Sequence, residues 1–287
     1  MDKRITNLIN EYRSGGIVRR EFLKKLVLYT GSAAAAVALI PRADEYFDGD
    51  EFQQEKYPDL VTEFIKYPGE GGEVKAYLAR PEASKKYPAV IVIHENRGLQ
   101  PHIMDVNRRM AREGFLALAP DGLSPMGGTP ENDPDKAVTM IRELNSEQTT
   151  RNFVAAVKYL ETHPLSNGKV GCTGFCWGGG MTNQVAVNAP TLKAAVPYYG
   201  RQPAVEDVAK IKAPLMAHYA ENDQGINQGI KAFEEALKKA NIEYYIYIYP
   251  GTQHGFNNDT NPARYNEQAA RLAWKRTLDF FKTKLSP

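Results

Sequence analysis

The chain is poor in cysteine, with only Cys172 and Cys176 among 287 residues. Their positions, one on a strand and one on the turn after it, argue against an intramolecular disulfide. Two cysteines are also too few for a structural zinc set, and no H-E-x-x-H spacing occurs, so neither a metal site nor a cofactor is expected. Charge of one sign is lacking too: 36 Lys and Arg face 34 Asp and Glu, for a net charge of +2. With no basic stripe interleaved with aromatics, electrostatics give no case for nucleic acid as a partner. There is no internal repeat, and no low-complexity tract beyond the alanine run at 33–36. What is present is a 43% hydrophobic composition, enough at this length for one elaborate domain with a large core.

The N-terminus stands apart from that core. Residues 18–25 read V-R-R-E-F-L-K-K, ahead of L-V-L-Y-T-G-S-A-A-A-A-V-A-L-I (26–40) and Pro41. The stretch resembles a twin-arginine export signal: paired arginines, Phe-Leu-Lys and an apolar segment. Val18 stands where that motif prefers Ser or Thr, P-R-A-D (41–44) is a poor cleavage site, and the apolar run is short and Gly/Ala-rich for a spanning helix. The expectation is a signal over 1–41, a charged linker over 42–58, export to the periplasm by the twin-arginine machinery, and one domain over 59–287. The alternative is an amphipathic or buried N-terminal helix on a cytoplasmic protein.

From residue 60 the pattern becomes regular. L-V-T-E-F-I-K-Y (60–67) and E-V-K-A-Y-L-A-R (73–80) alternate with period two around P-G-E-G-G, which predicts an antiparallel hairpin of edge strands. Continuous apolar runs follow at 88–94, 115–120, 169–174, 193–199, 214–220 and 244–249, as expected of strands buried on both faces. Helical patterns lie at 105–113, 148–160, 181–188, 228–240 and 263–281. Strand alternating with helix predicts a doubly wound, mostly parallel sheet of about eight strands, an α/β-hydrolase fold.

In such a sheet ligands bind beyond the carboxyl ends of the strands. Those ends carry H-E-N-R-G (94–98), G-F-C-W-G-G (174–179), Gly200-Arg201, E-N-D (221–223) and G-T-Q-H-G-F (251–256). G-x-[nucleophile]-x-G is a sharp strand-to-helix turn that lifts one side chain above the sheet, although a glycine-rich turn beside a buried thiol reads the same way in isolation. Context decides for chemistry. A thiol needs a base, and the base an orienting acid; Cys176, Asp223 and His254 occur in the hydrolase order of nucleophile, acid and histidine. Taken singly, His254 reads as a loop histidine and Asp223 as a turn former. Cys176 also opens a helix, whose N-terminal field favours thiolate. The backbone N–H groups of Trp177 and Asn96 are the expected oxyanion donors.

H-E-N-R-G, G-F-C-W-G-G, E-N-D and H-G-F together make residues 60–285 resemble the dienelactone hydrolase family. The resemblance implies an enzyme cleaving an ester or lactone through an acyl-cysteine at Cys176, with Asp223 and His254 completing the triad. It also implies that Glu95, a carboxylate after the first parallel strand, hydrogen-bonds the resting thiol and shares in its activation. One departure concerns the substrate: the family holds a carboxylate with arginines, one of them shortly after the histidine, where this chain has Asn257 and Asn258 and its next arginine is Arg264. Arg97 and Arg201, at strand ends, are the substitutes for an anion clamp, or plain solubilising residues. Two other classes compete: a catalytically silent binding module on the same fold, and a metallohydrolase built on His94 and Glu95.

Overall fold

The computed structural model describes residues 57–131 and 133–286, together with 4–5, 7–8, 11 and 19–30. The chain divides into two compact units, Met1–Pro58 and Asp59–Pro287. In the first, Arg19–Thr30 is helical; most of the signal-like segment and of the linker lies outside the described residues. No helix among the described residues is long and apolar enough to cross a membrane.

The second unit is built on one eight-stranded sheet in the order β1-β2-β4-β3-β5-β6-β7-β8. Its strands are β1 (Leu60–Gly69), β2 (Gly72–Pro81), β3 (Tyr87–Ile93), β4 (Leu116–Pro120), β5 (Ser166–Phe175), β6 (Ala194–Tyr198), β7 (Leu215–Asn222) and β8 (Tyr244–Gln253). The β1–β2 hairpin closes on a two-residue turn with Gly71 at φ 80, a conformation that favours glycine. From β4 to β8 every neighbouring pair is parallel. Two expectations fail here. The run 244–249 is not buried on both faces, because β8 is an edge of the sheet and leaves Tyr245 and Ile248 exposed. Conversely, β2 is not an edge: it pairs antiparallel with β4 on its far side. Its second half, Ala76–Ala79, is accordingly buried without alternation, as an interior strand must be.

The helices that position the site are α1 (Pro101–Arg112), α2 (Pro134–Glu143), α3 (Ser146–Thr162), α4 (Trp177–Asn188), α5 (Ile230–Lys239) and α6 (Glu267–Leu285). One core cluster joins α3, α4 and α5 to the sheet: Phe153, Val157 and Leu160, Met181 and Val185, and Phe233 and Leu237 meet Ala89, Ile91, Ile93 and Cys172. Outside that cluster, α1 packs on β2, β3 and β4, and α6 on β5, β6 and β7. Close packing sets the composition of β5: a Cβ at Gly171 would lie 2.8 Å from the Phe281 ring of α6.

Helix ends differ from the sequence expectation for identifiable reasons. α1 begins four residues earlier than 105, at Pro101, a residue that tolerates the first helical turn because its missing N–H has no partner there anyway. α6 begins at Glu267 instead of 263, because the Asn266 side chain accepts from the Ala269 N–H and caps the helix. α2 was not expected; Asp133 caps it by accepting from the Lys136 N–H at 2.8 Å, with Pro134 at its first position.

Candidate active site

Three strand ends, those of β3, β5 and β8, converge on one cleft of about 860 Å³, whose walls include Glu95, Asn96, Arg97, Cys176, His254 and Asn258. Cys176 lies between β5 and α4 with φ 56 and ψ −115, a backbone conformation disfavoured for any residue with a Cβ. Its neighbours make the turn feasible. A Cβ at Gly174 would come within 2.3 Å of the Gly178 carbonyl, and one at Gly178 within 2.3 Å of the His94 carbonyl, so both flanking positions must be glycine. The turn is also pinned from the sheet, where the Cys176 N–H donates to the Tyr198 carbonyl at 3.1 Å.

His254, after β8, is oriented by Asp223, after β7: Nδ1 lies 2.5 Å from the carboxylate Oδ2. The Cys176 side chain lines the same cleft and is close enough to act electrostatically on the ring. Burial alone pulls an imidazole toward neutrality, but the Cys176 sulfur, followed by Asp223, outweighs it and raises His254 to about 9. A charged Cys176 sulfur and the Asp223 carboxylate thus both favour the imidazolium form.

Glu95 follows β3 on the same cleft, and its Oε2 accepts from the Asn258 Nδ2 at 2.9 Å. His94, fully buried, fixes the backbone there: Nδ1 donates to the Glu95 carbonyl at 2.6 Å, while Nε2 accepts from the Gly122 N–H at 3.0 Å. Burial keeps this ring neutral against the pull of Asp121 and Glu95. The ring stacks on the Trp177 indole, with centroids 5.1 Å apart and planes at 15°. Trp177 thus packs its side chain against the core and is not among the described residues that line the cleft; its amide is the first of α4, a group with no intrahelical acceptor. Asn96 lines the cleft beside Cys176, next to Arg97. His94 and Glu95 do not form part of a metal cage: among the described residues no group of three or more His, Cys, Asp or Glu is placed to hold a metal ion.

Two arginines change places relative to the sequence reading. Arg97 is exposed and lines the cleft, whereas Arg201 is exposed but not among the described residues that line it. Arg264 does line it, with its stem 3.8 Å from where a Cβ on Gly255 would stand. Sequence reasoning also missed Tyr199. Its side chain is fully buried, its φ is 37, and its ring lies 5.0 Å from that of His254. The Asn257 N–H faces the Tyr199 hydroxyl without reaching hydrogen-bond geometry, so that hydroxyl has no partner among the described residues. Burial, and then the charges of Glu95 and Cys176, push it well above the ordinary tyrosine range. No residue-type signal marks Tyr199; its unusual backbone angle is visible only in three dimensions.

The model of the dienelactone hydrolase family matches residues 74–285, which span every element of this cleft. The chain belongs to the dienelactone hydrolase family. A protein of Escherichia coli (strain K12) with the provisional name carboxymethylenebutenolidase is 35% identical over 240 residues, 78% of this chain and 87% of that one. A protein of the same provisional name from Salmonella typhi is 35% identical over 268 residues, 88% of this chain and 95% of its own. Among solved structures, one from Klebsiella pneumoniae, provisionally described as a dienelactone hydrolase, superposes with a TM-score of 0.69 at 30% identity, covering 77% of this chain and 98% of its own. For a dienelactone hydrolase family member, the cleft found here lies where the fold puts its ligands, beyond the carboxyl ends of the parallel strands.

Proposed function

We propose that this chain hydrolyses a carboxylic ester or lactone through a covalent acyl-enzyme on Cys176. The chain is a hydrolase of the carboxymethylenebutenolidase-like kind. The observation that carries the cysteine mechanism is Cys176 on a strained turn in the same cleft as His254, whose ring Asp223 holds at 2.5 Å.

The steps balance as follows. Glu95 takes the thiol proton of Cys176, and the sulfur attacks the substrate carbonyl carbon. The Trp177 and Asn96 N–H groups receive the negative charge that develops on the carbonyl oxygen. The carbon–oxygen bond breaks as His254, present as imidazolium, passes its proton to the leaving oxygen, which gives the alcohol and a thioester. A water molecule then loses a proton to His254 while its oxygen attacks the thioester. The carbon–sulfur bond breaks, the acid departs, and the sulfur recovers its proton from Glu95. Asp223 holds the ring and stabilises its charge throughout. A small-molecule ester or lactone fits a cleft of about 860 Å³.

The test is an acid quench during turnover of an activated ester, followed by peptide mass analysis. The expected result is the acyl mass on the peptide containing Cys176 and its loss after hydroxylamine treatment. An adduct confined to another residue, or none in a burst experiment that releases one equivalent of alcohol, rules the cysteine mechanism out.

We further propose that residues 1–41 act as a twin-arginine signal that exports the 59–287 domain to the periplasm, with 42–58 as linker, on the strength of R-R-E-F-L-K-K ahead of an apolar stretch. Replacing Arg19 and Arg20 by Lys is expected to strand the protein in the cytoplasm. Cell fractionation that finds the wild type there, with its N-terminus intact, sinks the export reading.

A further inference from the structure

The loop Gly255–Arg264, which follows His254, places two consecutive side chains on opposite duties. Asn258 donates Nδ2 to Glu95 Oε2 at 2.9 Å. Asp259 turns away to α1, where it meets Arg109 at 2.6 Å and the His102 ring at 3.3 Å; Arg109 also bonds Asp105 one turn earlier. Burial opposes the charge of Asp259, but His102 and Arg109 outweigh it and hold its carboxyl well below the usual carboxylate range. The loop is therefore anchored at the residue next to Asn258.

The amide of Asn258 is fixed in its own plane as well. Its Oδ1 accepts from the Thr260 N–H at 3.0 Å and from the Thr260 hydroxyl at 2.6 Å. With the oxygen committed to two donors, the face turned to Glu95 must be the NH2 group, which can only donate. Glu95 Oε2 is therefore an acceptor in this contact. One carboxylate oxygen is occupied and the other is left over. No basic side chain lies within ion-pair distance of Glu95 among the described residues, so the partner gives orientation without cancelling the charge.

We propose that Asn258 is a positioning residue for Glu95: its amide, locked by Thr260 and anchored through Asp259, holds the carboxylate with one oxygen free toward Cys176. This rests on the reading that Glu95 takes the thiol proton. Asn258 does not transfer a proton; it acts through Glu95. The other titratable groups around Glu95 are Cys176, Tyr199 and His94, with Arg97 and His254 on the same cleft wall.

The test uses the full-length protein with an activated ester, comparing wild type, Asn258→Ala, Asn258→Asp, Glu95→Gln and the Asn258→Ala/Glu95→Gln double variant. For Asn258→Ala, kcat is expected to fall by about tenfold to a hundredfold, the scale of lost orientation, with KM within about twofold. Asn258→Asp keeps the shape, sets a second carboxylate against the first, and is expected to move the acidic limb of the kcat/KM profile up by about one pH unit or more. In the Glu95→Gln background, Asn258→Ala is expected to cost nothing further, because its only route of action is gone. An acidic limb that stays put in Asn258→Asp overturns the inference, as do losses that multiply in the double variant. Glu95→Gln turnover equal to wild type overturns the role of Glu95 itself and the inference with it. A slow Glu95→Gln beside a fully active Asn258→Ala overturns the inference alone.

Discussion

Cys176→Ala is expected to fold normally and to lose measurable hydrolysis, while Cys172→Ala stays active. The turn that carries Cys176 is specified by Gly174 and Gly178, whose missing Cβ atoms leave room for the Gly178 and His94 carbonyls, and not by the thiol. On the proposed mechanism, removing the sulfur deletes the nucleophile and leaves the geometry. Cys172 differs in every respect that matters to reactivity. It is fully buried in the core cluster, and burial pushes its thiol up to about 12 despite a hydrogen bond with Thr182, so the unreactive protonated form dominates. Loss of its sulfur costs at most about 1–2 kcal/mol of packing and no chemistry. A second reading of the same variant comes from His254. Its value of about 9 is built, against burial, first on Cys176 and then on Asp223, so Cys176→Ala should bring it down toward the ordinary 6.5. Proton NMR titration of the ring in both proteins measures that shift. An active Cys176→Ala enzyme, or a folded Cys172→Ala one without activity, reverses the assignment.

Glu95→Gln is expected to lower kcat by about 10² to 10⁴, the usual contribution of a general base. The substitution is close to silent in shape. A glutamine can present its carbonyl oxygen to Asn258 Nδ2 and keep the 2.9 Å hydrogen bond, which turns its NH2 group to the side where the free carboxylate oxygen had been. That group donates and cannot take the thiol proton. Stability should change by no more than roughly 0.5 kcal/mol, so thermal unfolding of the two proteins separates lost chemistry from lost structure. Turnover within a few-fold of wild type would remove Glu95 from the reaction and leave the triad to work alone.

The parallel core was legible because strands covered on both faces must be apolar at consecutive positions, and 88–94 and 115–120 are; 244–249 is equally apolar yet forms the edge strand β8, where Tyr245 and Ile248 are exposed. The β2 strand misled because the pattern of a half-exposed hairpin continues into Ala76–Ala79, and only the partner on the far side, β4, reveals that this half is interior. The helix Pro134–Glu143 escaped although D-P-D-K is a sound helix start; its polar surroundings hid a short amphipathic stretch. Within the cleft, strand-end logic located Glu95, Asn96, Cys176, Asp223 and His254, since each follows an apolar run. It chose Arg201 over Tyr199 because arginine is chemically conspicuous and a backbone angle is not. Asn258 was legible only as the lack of an arginine, and its use became visible once Glu95 and Thr260 were seen on its two sides.

The contact of Gly178 with the His94 carbonyl, reinforced by the His94–Trp177 stack, welds the end of β3 to the start of α4. The amides of Asn96 and Trp177 ride on these two segments, so their spacing is inherited from the sheet and does not wait for a substrate. The rest of the cleft's rim is made of other material: Gln100 and Pro134 come from helix starts, Val138 from within α2, and Asn261, Pro262 and Arg264 from the loop after His254. Rim and weld share no residue. Exchange of rim side chains can therefore retune which ester or lactone enters while the bond-breaking apparatus stays as it is, so that catalytic power and substrate range can evolve along separate axes.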